Sequence, residues 1–368
     1  MRPDYLIVGS GLSGAVIARF LEEAGRHVVV LERRSHLGGN VHDHFHASGI
    51  RVHTYGPHYF RTNDDGIWAF VNRFSRFYSY AAALKSWVEG RYENWPIAGS
   101  YIRRAIGEQW EPEVKREPRN FEEASLAMMP RAVYEKFVKG YSEKQWGVPA
   151  HTLSAGLAKR FDVREDDEPR LMRHKHQGIP ENGYGEFMRR MLEGIPVLLN
   201  CDYLRHRGEF KSSKMVIFTG PVDEYFGFDH GKLTYRGQRR EHQYLPDVEF
   251  AQPCGQVNNP DPANGSHIRT LEWKHMMQAE FAQRIRGTVL TRETTVTPTD
   301  PNDFEYPFPD DANNRLYQAY RERAQTAPNL LICGRLGEYR YYDMDQAIAR
   351  AQMLGRRILN GQNLQGEN

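Results

Sequence analysis

Cysteine is scarce in this chain. Cys201, Cys254 and Cys333 are the only three in 368 residues, and none sits in a CxxC spacing. That excludes a disulfide scaffold and a cysteine zinc site, and it fits a reducing, cytoplasmic setting. Long apolar runs are also missing. Nothing approaches the roughly 20 residues that a membrane span requires, so no membrane partner is expected. Charge of one sign is missing too. Lys and Arg number 49 against 47 Asp and Glu, a net +2, which leaves no bulk field to gather nucleic acid. A strand pattern begins within a few residues of Met1, so no secretory leader is expected. The chain shows no internal repeat, no low-complexity segment and no Ser-His-Asp or catalytic-cysteine arrangement.

Aromatic residues are plentiful instead: 12% of the chain, with 20 Tyr and 18 Phe. Rings fill cores, but a tyrosine also brings a hydroxyl to a polar pocket. The order of patterns is informative. "DYLIVG" (Asp4–Gly9) reads as a buried strand, and "SGLSGAVIARFLEEAG" has the spacing of an amphipathic helix. "HVVVLE", ending at Glu32, reads as a second strand. From about Asn63 to Gly194 the pattern is mostly helical, interrupted by a hairpin around Glu89-Gly90. The charged run Arg164–Gly178 reads as a surface loop. Strand patterns then return in succession, as in an antiparallel sheet. The chain ends on a strand, "NLLICGR", and a helix, "DQAIARAQMLGRRIL".

Gly9-Ser10-Gly11-Leu12-Ser13-Gly14 is a GxGxxG in its required context, after a strand and opening a helix. The glycines allow a tight turn and close approach of a pyrophosphate to the free N–H groups of the helix end. Glu32 follows at the distance where a carboxylate takes ribose hydroxyls. A second glycine pair, Gly38-Gly39 in "RRSHLGGN", and a late Gly334-Arg335 favour the longer FAD over NAD. The expected fold is therefore α/β: a Rossmann-like FAD-binding domain with a helical insert domain and an antiparallel β-sheet domain. The FAD-binding domain takes residues 1–62, 195–230 and 311–368. The helical substrate or lid domain takes 63–194, and the sheet domain takes 231–310.

Three further stretches call for chemistry. "FVKGYSEKQWG" spaces Phe137, Tyr141 and Trp146 near one helical face, as core rings or as a platform for a base, with Lys139 and Lys144 near enough to meet phosphate. "RLGEYRYYDMDQAIARA" sets three tyrosines and an acid before a helix; Asp343 is the expected N-cap, and the helix end is suited to face a flavin. "HDHFH" puts His42, His44 and His46 on one side if it is a strand. No matching carboxylate cluster accompanies it, so an exposed polar strand, with no metal, is the expectation.

Taken in order, "GSGLSGAVIA", "ERRSHLGGN", "YGPHYFRTND", "KGYSEKQWG", "QGIPENGY", "FTGPVDEYF" and "GRLGEYRYYDMDQ" resemble segments of the UDP-galactopyranose mutase family over nearly the whole chain. The resemblance implies an isomerase that interconverts pyranose and furanose rings of a UDP-sugar with no net redox change. In that family reduced FAD is active, and its N5 is the nucleophile at the anomeric carbon. It implies a homodimer or higher homo-oligomer, and a product used in cell-surface polysaccharide. By position, Phe137, Tyr141 and Trp146 correspond to the uridine platform, and Arg160 and Arg269 to two arginines that bracket the diphosphate. Tyr306 and Tyr341 correspond to phosphate-bonding tyrosines, and Asn259 to another substrate contact. Gly9, Gly11, Ser13, Gly14, Glu32, Arg33, Gly39 and Asn40 correspond to FAD contacts. So do His58, Tyr59, Arg335 and the stretch Tyr342, Asp343, Met344, Gln346 and Ala347. Arg160, Arg269, His58 and Arg61 are the residues expected to act in the chemistry.

The chain departs from the family pattern around the substrate. Arg61 stands where a second histidine is usual, Leu171 and Met172 where a tyrosine and an aromatic residue are usual, and Ala82 where an asparagine is usual. The flavin segments are intact, so retained chemistry on a changed sugar or base is expected. Arginine carries a fork of donors suited to a carbonyl oxygen. Arg61 therefore points to a 2-acetamido group, hence UDP-N-acetylgalactosamine alongside or instead of UDP-galactose. The competing readings are a mutase of a dTDP-deoxysugar, an amine-oxidase-like flavin oxidoreductase, and a flavoprotein used only for binding.

Overall fold

The computed structural model describes residues 2–362; Met1 and 363–368, at the outer ends of the first and last expected segments, lie outside the described residues. Tyr5–Val8 (β1) buries all four of its residues, as a strand covered on both faces must. Leu12–Glu23 (α1) follows the glycine turn, and Val28–Leu31 (β2) returns parallel to β1, Tyr5 opposite Val28. The parallel sheet runs Val197–Leu198, β2, β1, Met215–Phe218, Leu330–Ile332. Two glycines set its entrance. Gly9 has φ 102°, a left-handed conformation open to glycine. A Cβ on Gly14 would lie 2.0 Å from the Gly9 carbonyl oxygen and 3.2 Å from Ile7, so α1 lies flush on the turn only because Gly14 has no side chain.

Phe60–Thr62 (β3) pairs with His176–Pro180, which pairs with Phe77–Ser79, in a small antiparallel sheet. The helical insert has its own core around Phe121, Met129, Tyr134 and Phe137. Within it a π-helical stretch, Tyr134–Lys139, runs directly into the α-helix Gly140–Trp146 (α2). The hairpin at Glu89-Gly90 forms, both residues having positive φ, and joins Leu84–Val88 to Arg91–Trp95. It does not stay among the helices. Its strands complete the edge of the large sheet, Leu84–Val88 pairing with Gln256–Asn258 through the backbone, while Val88 packs its side chain into the core of the helical insert.

That large sheet has the order Tyr306–Pro307, Tyr235–Leu245, Thr288–Val296, Arg269–Glu272, Gln256–Asn258, Leu84–Val88, Arg91–Trp95. In chain order the central strands are Gln256–Asn258 (β4), Arg269–Glu272 (β5) and Thr288–Val296 (β6). All neighbours are antiparallel except β4 beside Leu84–Val88. The register sets one row across the sheet: Arg240 opposite Glu293, Glu293 opposite Arg269, and Arg269 opposite Asn258.

Met344–Leu359 (α3) closes the chain. Asp343 and Gln346 form a reciprocal capping box at its start. Its face of Ile348, Ala351, Leu354 and Ile358 is buried with Val16 and Ile17 of α1, and Gly355 admits the Phe20 ring. Among the described residues no helix is long and apolar enough to cross a membrane. Gly14→Val forces α1 off the turn. The expected loss is about 1–3 kcal/mol of stability, read as a lower midpoint in thermal or denaturant unfolding.

Candidate active site

Two cavities meet at a shared wall. The first, about 180 Å³, lies over the glycine turn, and the second, about 290 Å³, lies between the helical insert and the large sheet. Asn40, His58, Arg335 and Met344 line both. The first cavity gathers Gly9, Gly11, Ser13, Glu32, Arg33 and Gly39, with Tyr342 and Ala347 from the far end of the chain. Its residues fit a dinucleotide. No side chain caps the start of α1 and no acid sits in its first turn, so the free N–H groups are left for an anion from outside the chain. A Cβ on Gly11 would meet nothing closer than 3.9 Å, so that side of the turn is open. Glu32 is buried and holds the turn, accepting from Ser10 N at 2.9 Å, Ser10 Oγ at 2.6 Å and Arg34 N at 2.9 Å. Arg33 is fixed by a bidentate pair with Glu224, at 2.9 and 2.8 Å.

The second cavity gathers Tyr59, Arg61, Tyr141, Trp146, Arg160, Leu171, Arg269, Tyr306, Tyr341 and Asp343. Its chemistry rests on the cross-strand row. Arg269 Nε donates to Glu293 Oε2 at 2.5 Å, and Arg240 Nε donates to Glu293 Oε1 at 2.8 Å. Arg240 then grips Glu305 with both terminal nitrogens, at 2.8 and 3.0 Å. Burial pushes the Glu293 carboxyl up, but the fields of Arg269 and Arg240 outweigh it, and the group ends below its usual range. Glu305, also buried, ends above its usual value despite Arg240. Arg269 is thus braced through Nε, and its terminal nitrogens remain for the cavity.

Tyr306 receives Gln145 Nε2 at 3.2 Å and Gln238 Nε2 at 2.5 Å. Both bonds use its oxygen as acceptor, so its own proton is free to donate into the cavity, and burial pushes the phenol up to about 12. Tyr341 lies under two cations, Arg160 at 4.8 Å and Arg335 at 5.0 Å from its ring centre. Arg61 pairs with Asp343 at 2.9 Å, which ties β3 to the first turn of α3. His58 Nδ1 lies 2.7 Å from the Gly56 carbonyl, which only accepts; the proton sits on Nδ1, and Nε2 keeps its lone pair. Burial, with some repulsion from His53, pulls His58 down to about 3, so it is neutral at physiological pH. Gly56, in the preceding turn, has φ 90°, and a Cβ there would sit 2.9 Å from Glu293 Oε1. The "YGPH" turn therefore rests its backbone on the ion row.

Some expected residues are elsewhere. Phe137 is 1% exposed and packs edge-on against Tyr101 in the core of the insert. The π-helical stretch ends at Lys139, so a face counted at 3.6 residues per turn does not continue from Phe137 into Tyr141. Asn259 lies past the end of β4, in a hollow with Trp87 and Tyr92; it is Gln256 and Asn258, two residues apart, that line the cavity. Lys144 is used up by backbone carbonyls, and Lys139, exposed, lines neither cavity. Gln346 serves the helix cap and Gly14 the helix packing. His42 and His44 both bond Thr54 Oγ1, while His46 bonds Ser48. Sequence reasoning missed Ser142, whose hydroxyl is buried in the cavity lining without a partner, and Arg240, Glu293 and Glu305. Ser142 is legible as the residue one turn before Trp146; the ion row needs the strand register.

Comparisons with known proteins agree in one direction. The family description "UDP-galactopyranose mutase" matches residues 136–341, and "NAD(P)-binding Rossmann-like domain" matches residues 7–74. The chain is 32% identical to a "Probable UDP-galactopyranose mutase" of Klebsiella pneumoniae over 95% of this chain and 92% of that one. It is 30% identical to a "dTDP-fucopyranose mutase" of Escherichia coli, over 94% of this chain and 96% of that one. The fold matches a crystal structure of reduced UDP-galactopyranose mutase with a TM-score of 0.76 at 16% identity, covering 97% and 96% of the two chains.

Two outcomes follow from the buried charges. Arg240→Met leaves Glu305 buried without its cation and is expected to cost about 3–5 kcal/mol, measured by denaturant unfolding; adding Glu305→Gln recovers part of the loss. Burial also pulls His53 down to about 3. The unfolded chain takes up that proton near pH 6.5 and the folded chain only near 3, so stability is full above 6.5 and falls as the pH drops through that window. Thermal midpoints from pH 7 to 4 are expected to decline less steeply in His53→Gln, whose amide oxygen keeps the bond from His58 N.

Proposed function

The chain belongs to the UDP-galactopyranose mutase family, and from that premise we propose that it holds FAD and interconverts the pyranose and furanose forms of UDP-galactose, UDP-N-acetylgalactosamine, or both. It is an isomerase. When bound and reduced, FAD supplies a nucleophilic nitrogen to the anomeric carbon. The shared wall carries this reading: Asn40, His58, Arg335 and Met344 bound both the cavity over the glycine turn, whose residues would hold the cofactor, and the cationic cavity.

The protein's part is to hold a leaving diphosphate whose charge grows as the sugar–oxygen bond breaks. Arg269, braced from behind, and Arg160, lodged on Tyr341, supply fixed positive charge there. Tyr306 donates its free proton to the same group. Trp146 and Tyr141 give the base a surface, and the unpartnered Ser142 hydroxyl offers it a hydrogen bond. His58, neutral, contributes a lone pair and no charge beside the cofactor. Glu293 lies behind Arg269, and the two carboxylates that line the cavity, Glu305 and Asp343, are each paired with an arginine, in keeping with chemistry that needs no protein acid–base pair.

Arg61 bears on the sugar. Its pair with Asp343 holds the guanidinium at the cavity wall, and its remaining N–H groups suit the carbonyl of a 2-acetamido group. A second reading has specific support: Leu171 and Met172 make part of the lining apolar, which suits the methyl of a 6-deoxysugar, and one relative is a dTDP-fucopyranose mutase.

The test is anaerobic incubation of dithionite-reduced protein with UDP-galactose, UDP-N-acetylgalactosamine and dTDP-fucose, with chromatography for furanose product. Activity only after prereduction, without peroxide release, is expected. Arg61→His should lower the ratio of N-acetylgalactosamine to galactose turnover by about tenfold, the worth of one good hydrogen bond to a charged donor. An unchanged ratio would sink the role given to Arg61, and turnover of dTDP-fucose alone would favour the second reading.

A further inference from the structure

Helix α2 has two working faces. Tyr141, Ser142, Gln145 and Trp146 line the second cavity. Gly140 and Lys144, one turn apart, face the other way, onto the loop 259–268 that joins β4 to β5. A Cβ on Gly140 would lie 2.2 Å from the Pro260 carbonyl oxygen and 3.0 Å from the Pro262 ring, so the helix touches the loop backbone directly. Lys144 Nζ donates to three carbonyls of the same loop: Asn259 at 2.8 Å, Asp261 at 2.8 Å and His267 at 3.2 Å. Among the described residues no carboxylate pairs with it. Three converging carbonyls match the three protons of a tetrahedral ammonium, and a planar guanidinium would not satisfy them equally.

The loop matters because of its stems. Asn258 is the last residue of β4 and Arg269 the first of β5, and both line the cavity. The loop neck is closed by Asn259 N to Ile268 O at 2.8 Å. A displacement of the loop is therefore carried into both stems. Lys144 sets the spacing between the wall bearing Tyr141 and Trp146 and the wall bearing Asn258 and Arg269. We propose that Lys144 is a positioning residue for nucleotide binding, acting as a cationic clasp between helix α2 and the loop 259–268. Resting as it does on the proposed binding of a nucleotide diphosphate in this cavity, the role affects ground-state and transition-state binding alike, because it fixes cavity width and touches no reacting atom.

The experiment uses the whole chain and Lys144→Ala. Two readouts separate the clasp from the function: hydrogen exchange of the amides of 259–268, which needs no ligand, and UDP affinity from titration calorimetry. The alanine variant is expected to exchange faster in that loop, to bind UDP about tenfold more weakly, and to show the same rise in KM with kcat within about twofold. Propylammonium, the missing part of the side chain, should restore all three; tetramethylammonium, which has no N–H, should not. Lys144→Gln, which keeps one donor nitrogen, is expected to fall between wild type and alanine, and it carries the test if the alanine chain does not fold. Unchanged loop exchange overturns the clasp. Lost affinity that propylammonium does not restore, or a fall in kcat at constant KM, overturns the positioning role. If the loop loosens but the wild-type chain binds no UDP, the functional reading fails and the clasp stands.

Discussion

The site depends on a row of alternating charge across the large sheet: Arg240, Glu293 and Arg269, with Glu305 beyond Arg240. A cation meant for an incoming anion must be held firmly without being fully neutralised from the front. Here the brace comes from behind, through Nε, in a place where Glu293 has no exposure at all. Such a row tolerates no slip. Because strand side chains alternate, a shift of one residue in any of the three strands would send a charge to the opposite face and leave its partners buried alone. The register of the sheet, the left-handed Gly56 and the edge strand that starts at Tyr306, directly after Glu305, all answer to that single requirement.

The two cavities use different electrostatic means. At the glycine turn, positive potential comes from backbone N–H groups at the start of α1, supplemented by Arg33, whose charge is matched by Glu224. Across the wall it comes from whole guanidinium groups, Arg160, Arg269 and Arg335, arranged around tyrosines. The neutral His58 sits between them. The first cavity thus has a broad, soft positive field and the second a concentrated one, without two strong fields set against each other.

Much of this was legible from local pattern. Strand, glycine turn, helix and Glu32 announce the parallel sheet because each is a short-range rule about backbone geometry, and the hairpin at Glu89-Gly90 is legible for the same reason. The tyrosines before α3 and the capping Asp343 are equally local. Phe137 was misplaced because helical periodicity assumes one pitch, and the chain changes pitch at Lys139. Asn259 was misplaced because its neighbour Asn258 is the same residue type, and only the strand end decides which one faces the cavity. The ion row was invisible because Arg240, Glu293 and Glu305 are separated in sequence and look like ordinary surface charges until pairing brings them together. Lys144 read as a phosphate ligand because composition cannot say which way a helical lysine points.

The change from π-helix to α-helix at Lys139 and Gly140 has a consequence for how such a chain can diverge. The π-helical stretch bonds residues five apart where the ladder after it bonds residues four apart, so the faces of the two halves are offset by a fixed rotation. Residues before the join answer to the packing of the insert, as Phe137 does against Tyr101. Residues after it reach further, Tyr141, Ser142, Gln145 and Trp146 to the second cavity and Gly140 and Lys144 to the loop 259–268. A substitution at Tyr141 or Ser142 therefore meets the cavity and one at Phe137 meets the insert core, whereas Trp146 belongs to both and is the position least free to vary.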